Sequence, residues 1–199
     1  MPKKYIIGID EVGRGCLAGP VVVCAALAAQ GRRFFNKKLG ALRDSKKTSP
    51  RMREEWFLHL KKTEVIFAIA RVSPSVIDKT NISRAANIAA ERALKRLLLS
   101  ADIREEEVDI FLDGGLYVGE RGSNIGKTII KGDEKIKVIS AASILAKVYR
   151  DKLMSRYALK FKDFNFNLNK GYGTAHHIKI LKSKGATSIH RKTFISNFV

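Results

Sequence analysis

The chain of 199 residues carries 38 Lys or Arg against 19 Asp or Glu, a formal net charge of +19, and 45% of it is hydrophobic. That apolar share suffices for a core and excludes wholesale disorder, while so large a surplus of positive charge asks for a polyanionic partner, nucleic acid being the commonest. The longest apolar runs fall short of the roughly 20 residues that cross a bilayer, and two cysteines, Cys16 and Cys24, make neither a disulfide framework nor a zinc ligand set.

Met1-Pro2-Lys3-Lys4 leads directly into Tyr5–Ile9, a short apolar run of the buried-strand kind, with no leader-like stretch ahead of it. A soluble, cytoplasmic, monomeric protein with no membrane partner is therefore expected. Val21–Ala29, entered through Gly19-Pro20, reads as a second strand, and the Gly-rich turn between the two predicts an antiparallel pair. Thr48-Ser49-Pro50 marks a helix start, with Ser49 as N-cap, Pro50 at the first helical position, and Met52, Trp56, Phe57 and Leu60 on one face. Glu64–Val72 alternates into a third strand, and a helix follows from about Ile82 to Leu99. Val108–Leu112 is a fourth strand ending at Asp113-Gly114-Gly115, and Lys127–Ile130 a short fifth. Ser140 is expected to begin a helix that buries Ala141, Ile144, Leu145 and Val148 and runs towards Tyr157, and a last helix covers Ala175–Lys184 before Gly185. This order of elements predicts an α/β fold, a mixed central β-sheet flanked by helices. Residues 1–157 form its main domain, and residues 158–199 a small basic helical lobe packed on it. From Ser140 onward twelve Lys or Arg stand against only Asp151 and Asp163.

In a chain this basic, acids at the ends of buried strands need a reason. Asp10 and Glu11 follow the first strand and Asp113 follows the fourth, so the three would crowd at one sheet edge and repel one another without a cation between them. Such hard oxygen ligands suit Mg²⁺ or Mn²⁺, and two ions about 4 Å apart support in-line phosphodiester cleavage. Spacing alone equally allows Asp10 to cap a turn and Asp113 to open an Asp-Gly turn. Gly13-Arg14-Gly15 offers backbone groups to a sugar or phosphate, or is an ordinary hairpin turn. Lys46 and Lys47 read as phosphate contacts or as solvated surface lysines, with Ser45 or Ser143 supplying hydroxyl bonds. His176 and His177 read as a phosphate or proton-transfer pair, or as a cap and a satisfied surface imidazole.

The run from Gly8 through Asp10-Glu11-Val12-Gly13-Arg14-Gly15-Cys16-Leu17-Ala18-Gly19-Pro20 to Val21 closely resembles the opening signature of the type 2 ribonucleases H, ribonuclease HII. Asp44-Ser45-Lys46-Lys47, Leu112-Asp113-Gly114, Lys131-Gly132-Asp133, the stretch from Ile139 to Val148, Lys170-Gly171-Tyr172, Gly185-Ala186-Thr187 and His190-Arg191 through Phe194 resemble later motifs, in the family's order and over nearly the whole chain. The resemblance implies a ribonuclease H-like fold with a small C-terminal helical extension. It implies an endonuclease that cuts the RNA strand of RNA–DNA hybrids, and duplex DNA on the 5′ side of an embedded ribonucleotide, leaving 5′-phosphate and 3′-hydroxyl ends. By motif, catalytic and metal-binding carboxylates fall on Asp10, Glu11, Asp113 and Asp133, holding two ions of Mg²⁺ or Mn²⁺ with substrate bound. Gly13, Arg14 and Gly15 would sense the ribose 2′-OH, the handle that separates RNA from DNA, and Tyr172 would pack on the next sugar.

Gly115 stands where the family often has Asn and Gly173 where Pro is common, departures that bear on positioning and junction preference. The sister family ribonuclease HIII typically lacks the Arg of Gly13-Arg14-Gly15. A non-catalytic RNA-binding protein would bind without metal and be indifferent to loss of Asp10, and a general metal nuclease would need neither the Gly-Arg-Gly element nor Tyr172. The tail Phe194–Val199 carries no readable docking motif, so a sliding-clamp contact stays open.

Overall fold

A computed structural model describes residues 3–43, 45–119 and 125–198 and, of Lys46, the backbone alone. Five strands form a mixed sheet: β1 (Tyr5–Val12), β2 (Val21–Ala29), β5 (Ile66–Val72), β6 (Val108–Asp113) and β7 (Lys127–Ile129), in the spatial order β5-β2-β1-β6-β7. β1 pairs antiparallel with β2, and β2 with β5, while β1, β6 and β7 run parallel. The two-residue strands β3 (Phe35–Asn36) and β4 (Gly40–Ala41) form a separate small hairpin. The helices are α1 (Pro50–Leu60), α2 (Pro74–Thr80), α3 (Ile82–Ala101), α4 (Gly132–Lys135), α5 (Lys137–Lys160), α6 (Phe166–Asn169), α7 (Ala175–Lys184) and α8 (Lys192–Ile195).

β2 shows why its sequence is apolar throughout. Side chains alternate across a strand, so Val21, Val23, Ala25 and Leu27 join one core while Val22, Cys24, Ala26 and Ala28 join the other. The first core is completed by α3, whose small Ala85, Ala86, Ala89, Ala90 and Ala93 bring the helix close to the sheet. The second is completed by Trp56 and Leu60 of α1 and the buried face of α5. Fully burying side chains of this size contributes about 1.5–3 kcal/mol each, so both faces are firmly seated. Gly8 lets α5 lie directly on β1, since a Cβ there would collide with the Val138–Ile139 peptide.

α5 begins at Lys137, not Ser140. Ser140 lies inside the helix, its hydroxyl donating to the carbonyl of Asp133 (2.6 Å), so it closes the α4–α5 junction instead of capping α5. A third cluster gathers Phe164, Phe166, Leu181, Ile189 and Ile195 against Met154 of α5 and against Leu17 and Ala18 of the β1–β2 connection. Through it, the helical end of the chain reaches the mouth of the sheet.

Candidate active site

Parallel pairing places the acids. Ile9 stands opposite Leu112, the last pair of the β1–β6 register, so Asp10 and Asp113 come next on neighbouring strands where that pairing stops. Asp10 and Glu11 do not follow the first strand but lie within it, still paired to Cys24 and Val23 of β2, and Asp113 is the last residue of β6, opposite Ile129. Asp10, Glu11 and Asp113 each bring one carboxylate oxygen within 4.8 Å of the others. Asp10 is 4% exposed. Its Oδ1 accepts the Glu11 N–H (2.7 Å), and the Ser143 hydroxyl lies against the same carboxylate. Burial first, then the neighbouring charges of Glu11 and Asp113, push Asp10 well above the usual carboxylate range, against the opposing pull of those hydrogen bonds. Asp113 is fixed by the Gly132 N–H, which donates to its Oδ1 (2.7 Å). Asp133 is buried on α4, one residue beyond that contact, and stands outside the group of three.

The carboxylates open into a cleft of about 280 Å³, also lined by Gly13, Arg14, Gly15, Ser45, Ser143 and Tyr172. Gly13 has φ +93°, and a Cβ there would strike the Arg150 guanidinium, so glycine is required on both counts. Arg14 turns its side chain inward: Nη2 donates to Ser83 Oγ (3.0 Å), Nη1 to the Gly115 carbonyl (3.4 Å), and Nη1 lies 3.6 Å from Glu11 Oε1. Tyr172 is 42% exposed at the cleft edge, and burial of its inner side, with the Cys16 thiol alongside, raises its phenol. Ser45 and Ser143 hydroxyls meet at 2.7 Å, linking the cleft to the 3-10 turn Ser45–Lys47. Lys47 lies outside the cleft lining and pairs with Glu134 at 3.2 Å. The Lys46 side chain and all of Asp44 lie outside the described residues.

Two cations that the motif reading left without a role line the same cleft, Arg53 and Lys147. Arg53 donates to the carbonyls of Ser45 (2.9 Å) and Thr48, tying α1 to the Ser45–Lys47 turn. Lys147 sits 2.8 Å from Asp151 and four residues after Ser143, on one helix face, a spacing that was available in the sequence. Of the two histidines, His176 fits the satisfied surface imidazole and His177 does not. His176 is exposed and contacts Asn165 (3.0 Å), whereas His177 is fully buried against His190, and neither lines the cleft. Cys16 and Cys24 are likewise fully buried. Beside the cleft, and sharing Arg53, Lys147 and Tyr172 with it, runs a groove of about 800 Å³ that adds Lys152, Arg156 and Lys170 against Glu54 and Asp151.

The arrangement is an acidic pocket for hard cations at the end of a basic groove. A family model described as Ribonuclease HII matches residues 7–197. Ribonuclease HII of Fusobacterium nucleatum is 42% identical over 196 residues, covering 96% of this chain and 86% of that protein. Ribonuclease HII of Caldicellulosiruptor bescii is 39% identical over 196 residues, covering 98% and 89%. Among solved structures, the PCNA:RNase HII complex from Archaeoglobus fulgidus contains a chain that superposes with a TM-score of 0.69 at 28% identity, covering 94% of this chain and 93% of that one.

Proposed function

This chain belongs to the ribonuclease HII family, a ribonuclease H that hydrolyses RNA in RNA–DNA hybrids, and on that premise we propose that it also cuts duplex DNA on the 5′ side of an embedded ribonucleotide, serving ribonucleotide removal from DNA. The observation that carries this reading is the convergence of Asp10, Glu11 and Asp113 within 4.8 Å beside the Gly13-Arg14-Gly15 backbone and Tyr172.

Three crowded carboxylates, one deeply buried, with no nitrogen or sulfur donor among them, suit two hard divalent ions, Mg²⁺ or Mn²⁺. Asp10, Glu11, Asp113 and Asp133 would hold these ions between them. Such ions supply activation of the attacking water and neutralisation of charge at the scissile phosphate. The Ser143 hydroxyl and the Glu11 N–H hold the Asp10 carboxylate in place as the phosphate arrives. Backbone N–H groups of the Gly13–Gly15 loop bind the 2′-OH of the ribonucleotide, a group that all-DNA lacks. Tyr172 packs on the following sugar, favouring the RNA-to-DNA junction. Hydrolysis in this register leaves a 5′-phosphate on the ribonucleotide and a 3′-hydroxyl upstream.

Arg53, Lys147, Lys152, Arg156 and Lys170 along the groove, and Lys46 and Lys47 beside the cleft, are read as contacts to the duplex backbone, which position without reading sequence. In this reading residues 1–157 carry the chemistry and residues 158–199 form a basic lobe that clamps the duplex. A sliding clamp is a second partner, favoured by the archaeal relative solved in complex with PCNA.

The test pairs binding with turnover. Calorimetric titration with Mn²⁺ and cleavage of a labelled RNA–DNA hybrid under Mg²⁺ are compared for the wild type and Asp10→Asn. Loss of the heat signal together with a fall of about a thousandfold or more in kcat is expected; near-normal cleavage by Asp10→Asn would overturn the metal assignment.

A further inference from the structure

The two elements assigned to junction recognition, Gly13–Gly15 and Tyr172, sit on separate loops, one leaving β1 and one preceding α7. One short segment, Thr187–Arg191, is hydrogen-bonded to the first loop and reaches the second through His177. Its backbone runs along the first: Gly19 N–H donates to the Ile189 carbonyl (2.8 Å) and Arg191 N–H to the Leu17 carbonyl (2.8 Å). Arg191 is fully buried, and its guanidinium faces carbonyls: Nη2 donates to Gly13 (2.6 Å), Nη1 to Arg14 (2.7 Å) and Nε to Gly19 (3.0 Å). Burial lowers its pKa to about 10, so it stays charged at neutral pH.

The consequence lies on the far side of those peptides. In a trans peptide the C=O and the following N–H point in opposite directions, and the chain has no cis bond among the described residues. Drawing the carbonyls of Gly13 and Arg14 onto Arg191 therefore turns the N–H groups of Arg14 and Gly15 away from it, toward the cleft these residues line. Among the described residues neither N–H meets an acceptor. They form a pair of aimed donors.

The residue before Arg191 serves the second loop. The His190 Nδ1 accepts the Thr187 N–H (2.9 Å), which leaves its Nε2 carrying the proton. That Nε2 donates to Nε2 of His177 (2.9 Å), and His177 Nδ1 donates to the Tyr172 carbonyl (2.8 Å). The chain of bonds is directional and complete for two neutral imidazoles, both buried and packed against Phe164 and Phe166.

We propose that Arg191 and the His190–His177 pair are positioning residues for junction recognition, a two-armed bracket that fixes the Gly13–Gly15 donors and Tyr172 at one spacing. This rests on the junction reading above. A lone ribonucleotide offers a single productive register, so it depends on that spacing; a continuous RNA–DNA hybrid offers many registers and depends on it less. The bracket acts through the two loops and touches no substrate itself.

The test measures kcat/KM under Mg²⁺ on a DNA duplex with one ribonucleotide and on a continuous hybrid, for the wild type, Arg191→Lys, His177→Phe and His177→Asn, with thermal melts alongside. Arg191→Lys keeps the charge but loses the three-pronged grip. His177→Asn keeps a donor near the Nδ1 position that His177→Phe lacks. Arg191→Lys and His177→Phe are expected to lower the ratio of lone-ribonucleotide to hybrid cleavage about ten- to a hundredfold, and His177→Asn to recover part of that loss. Equal losses on both substrates, or an unchanged ratio in variants that stay folded, would overturn the bracket. Should Arg191→Lys not fold, the two His177 variants decide alone. A wild type that cuts the hybrid and ignores the lone ribonucleotide removes the junction reading itself, and the bracket with it.

Discussion

Asp10 is a carboxylate that folding alone does not favour. It is buried beside two other acids and held well above the ordinary carboxylate range by desolvation and by their charge. A carboxyl whose folded pKa is raised binds its proton more tightly folded than unfolded, so its ionisation subtracts stability as pH rises past the unfolded value near 4. In the absence of divalent metal, Asp10→Asn is therefore expected to raise the melting temperature at pH 7. A variant that melts below the wild type in chelator contradicts this. The same linkage runs the other way at His190, whose pKa burial lowers to about 4, with His177 adding to the shift. A base depressed in the folded state contributes stability that is complete above pH 6.5 and lost as pH falls toward 4. Thermal melts between pH 7 and 4.5 are expected to show that decline, and His190→Phe to flatten it.

At the scale of elements, the site depends on how α5 meets β1. Gly8 allows the contact that brings Ser143 to Asp10, so Gly8→Ala is expected to cost about 2–4 kcal/mol in a denaturant titration and to lower cleavage beyond any loss of folded fraction. The strands flanking the site were legible because their apolar runs end abruptly in acids: Ile9 before Asp10-Glu11, Leu112 before Asp113. α1 was legible through Ser49, whose hydroxyl does accept the Met52 N–H (3.2 Å), with Pro50 next. α2 opens on the same Ser-Pro pair, but its seven residues leave no room for a repeated apolar face. β3 and β4, two residues each, are too short to carry any period. The start of α5 was misplaced because the helix is buried through most of its first three turns, so no polar face marks where it begins. Asp133 and Tyr172 were reached through family motifs, since each stands in a glycine turn that resembles a surface loop until α4 and α7 are in place. Of the bracket, His190-Arg191 was legible as a motif but its role was not. Arg191 and His190 bond to residues more than 170 and exactly 13 positions away in the chain respectively, and such pairings leave no local pattern.

On the scale of the whole molecule, part of the basic surplus of this +19 chain lines a groove that is continuous with the acidic cleft through Arg53, Lys147 and Tyr172. Binding of a duplex by the inactive Asp10→Asn protein, followed by fluorescence anisotropy, is expected to weaken about a hundredfold or more between roughly 50 and 200 mM salt, as counterion release requires; a flat salt response contradicts a phosphate-tracking groove. The most direct test of the account incubates the protein with three labelled duplexes under Mg²⁺, Mn²⁺ or chelator: DNA with one ribonucleotide, a continuous RNA–DNA hybrid, and DNA alone. A metal-dependent cut on the 5′ side of the lone ribonucleotide and within the hybrid is expected, with the all-DNA duplex intact. Tight binding without cleavage under either metal, or cleavage of the all-DNA duplex, would contradict it.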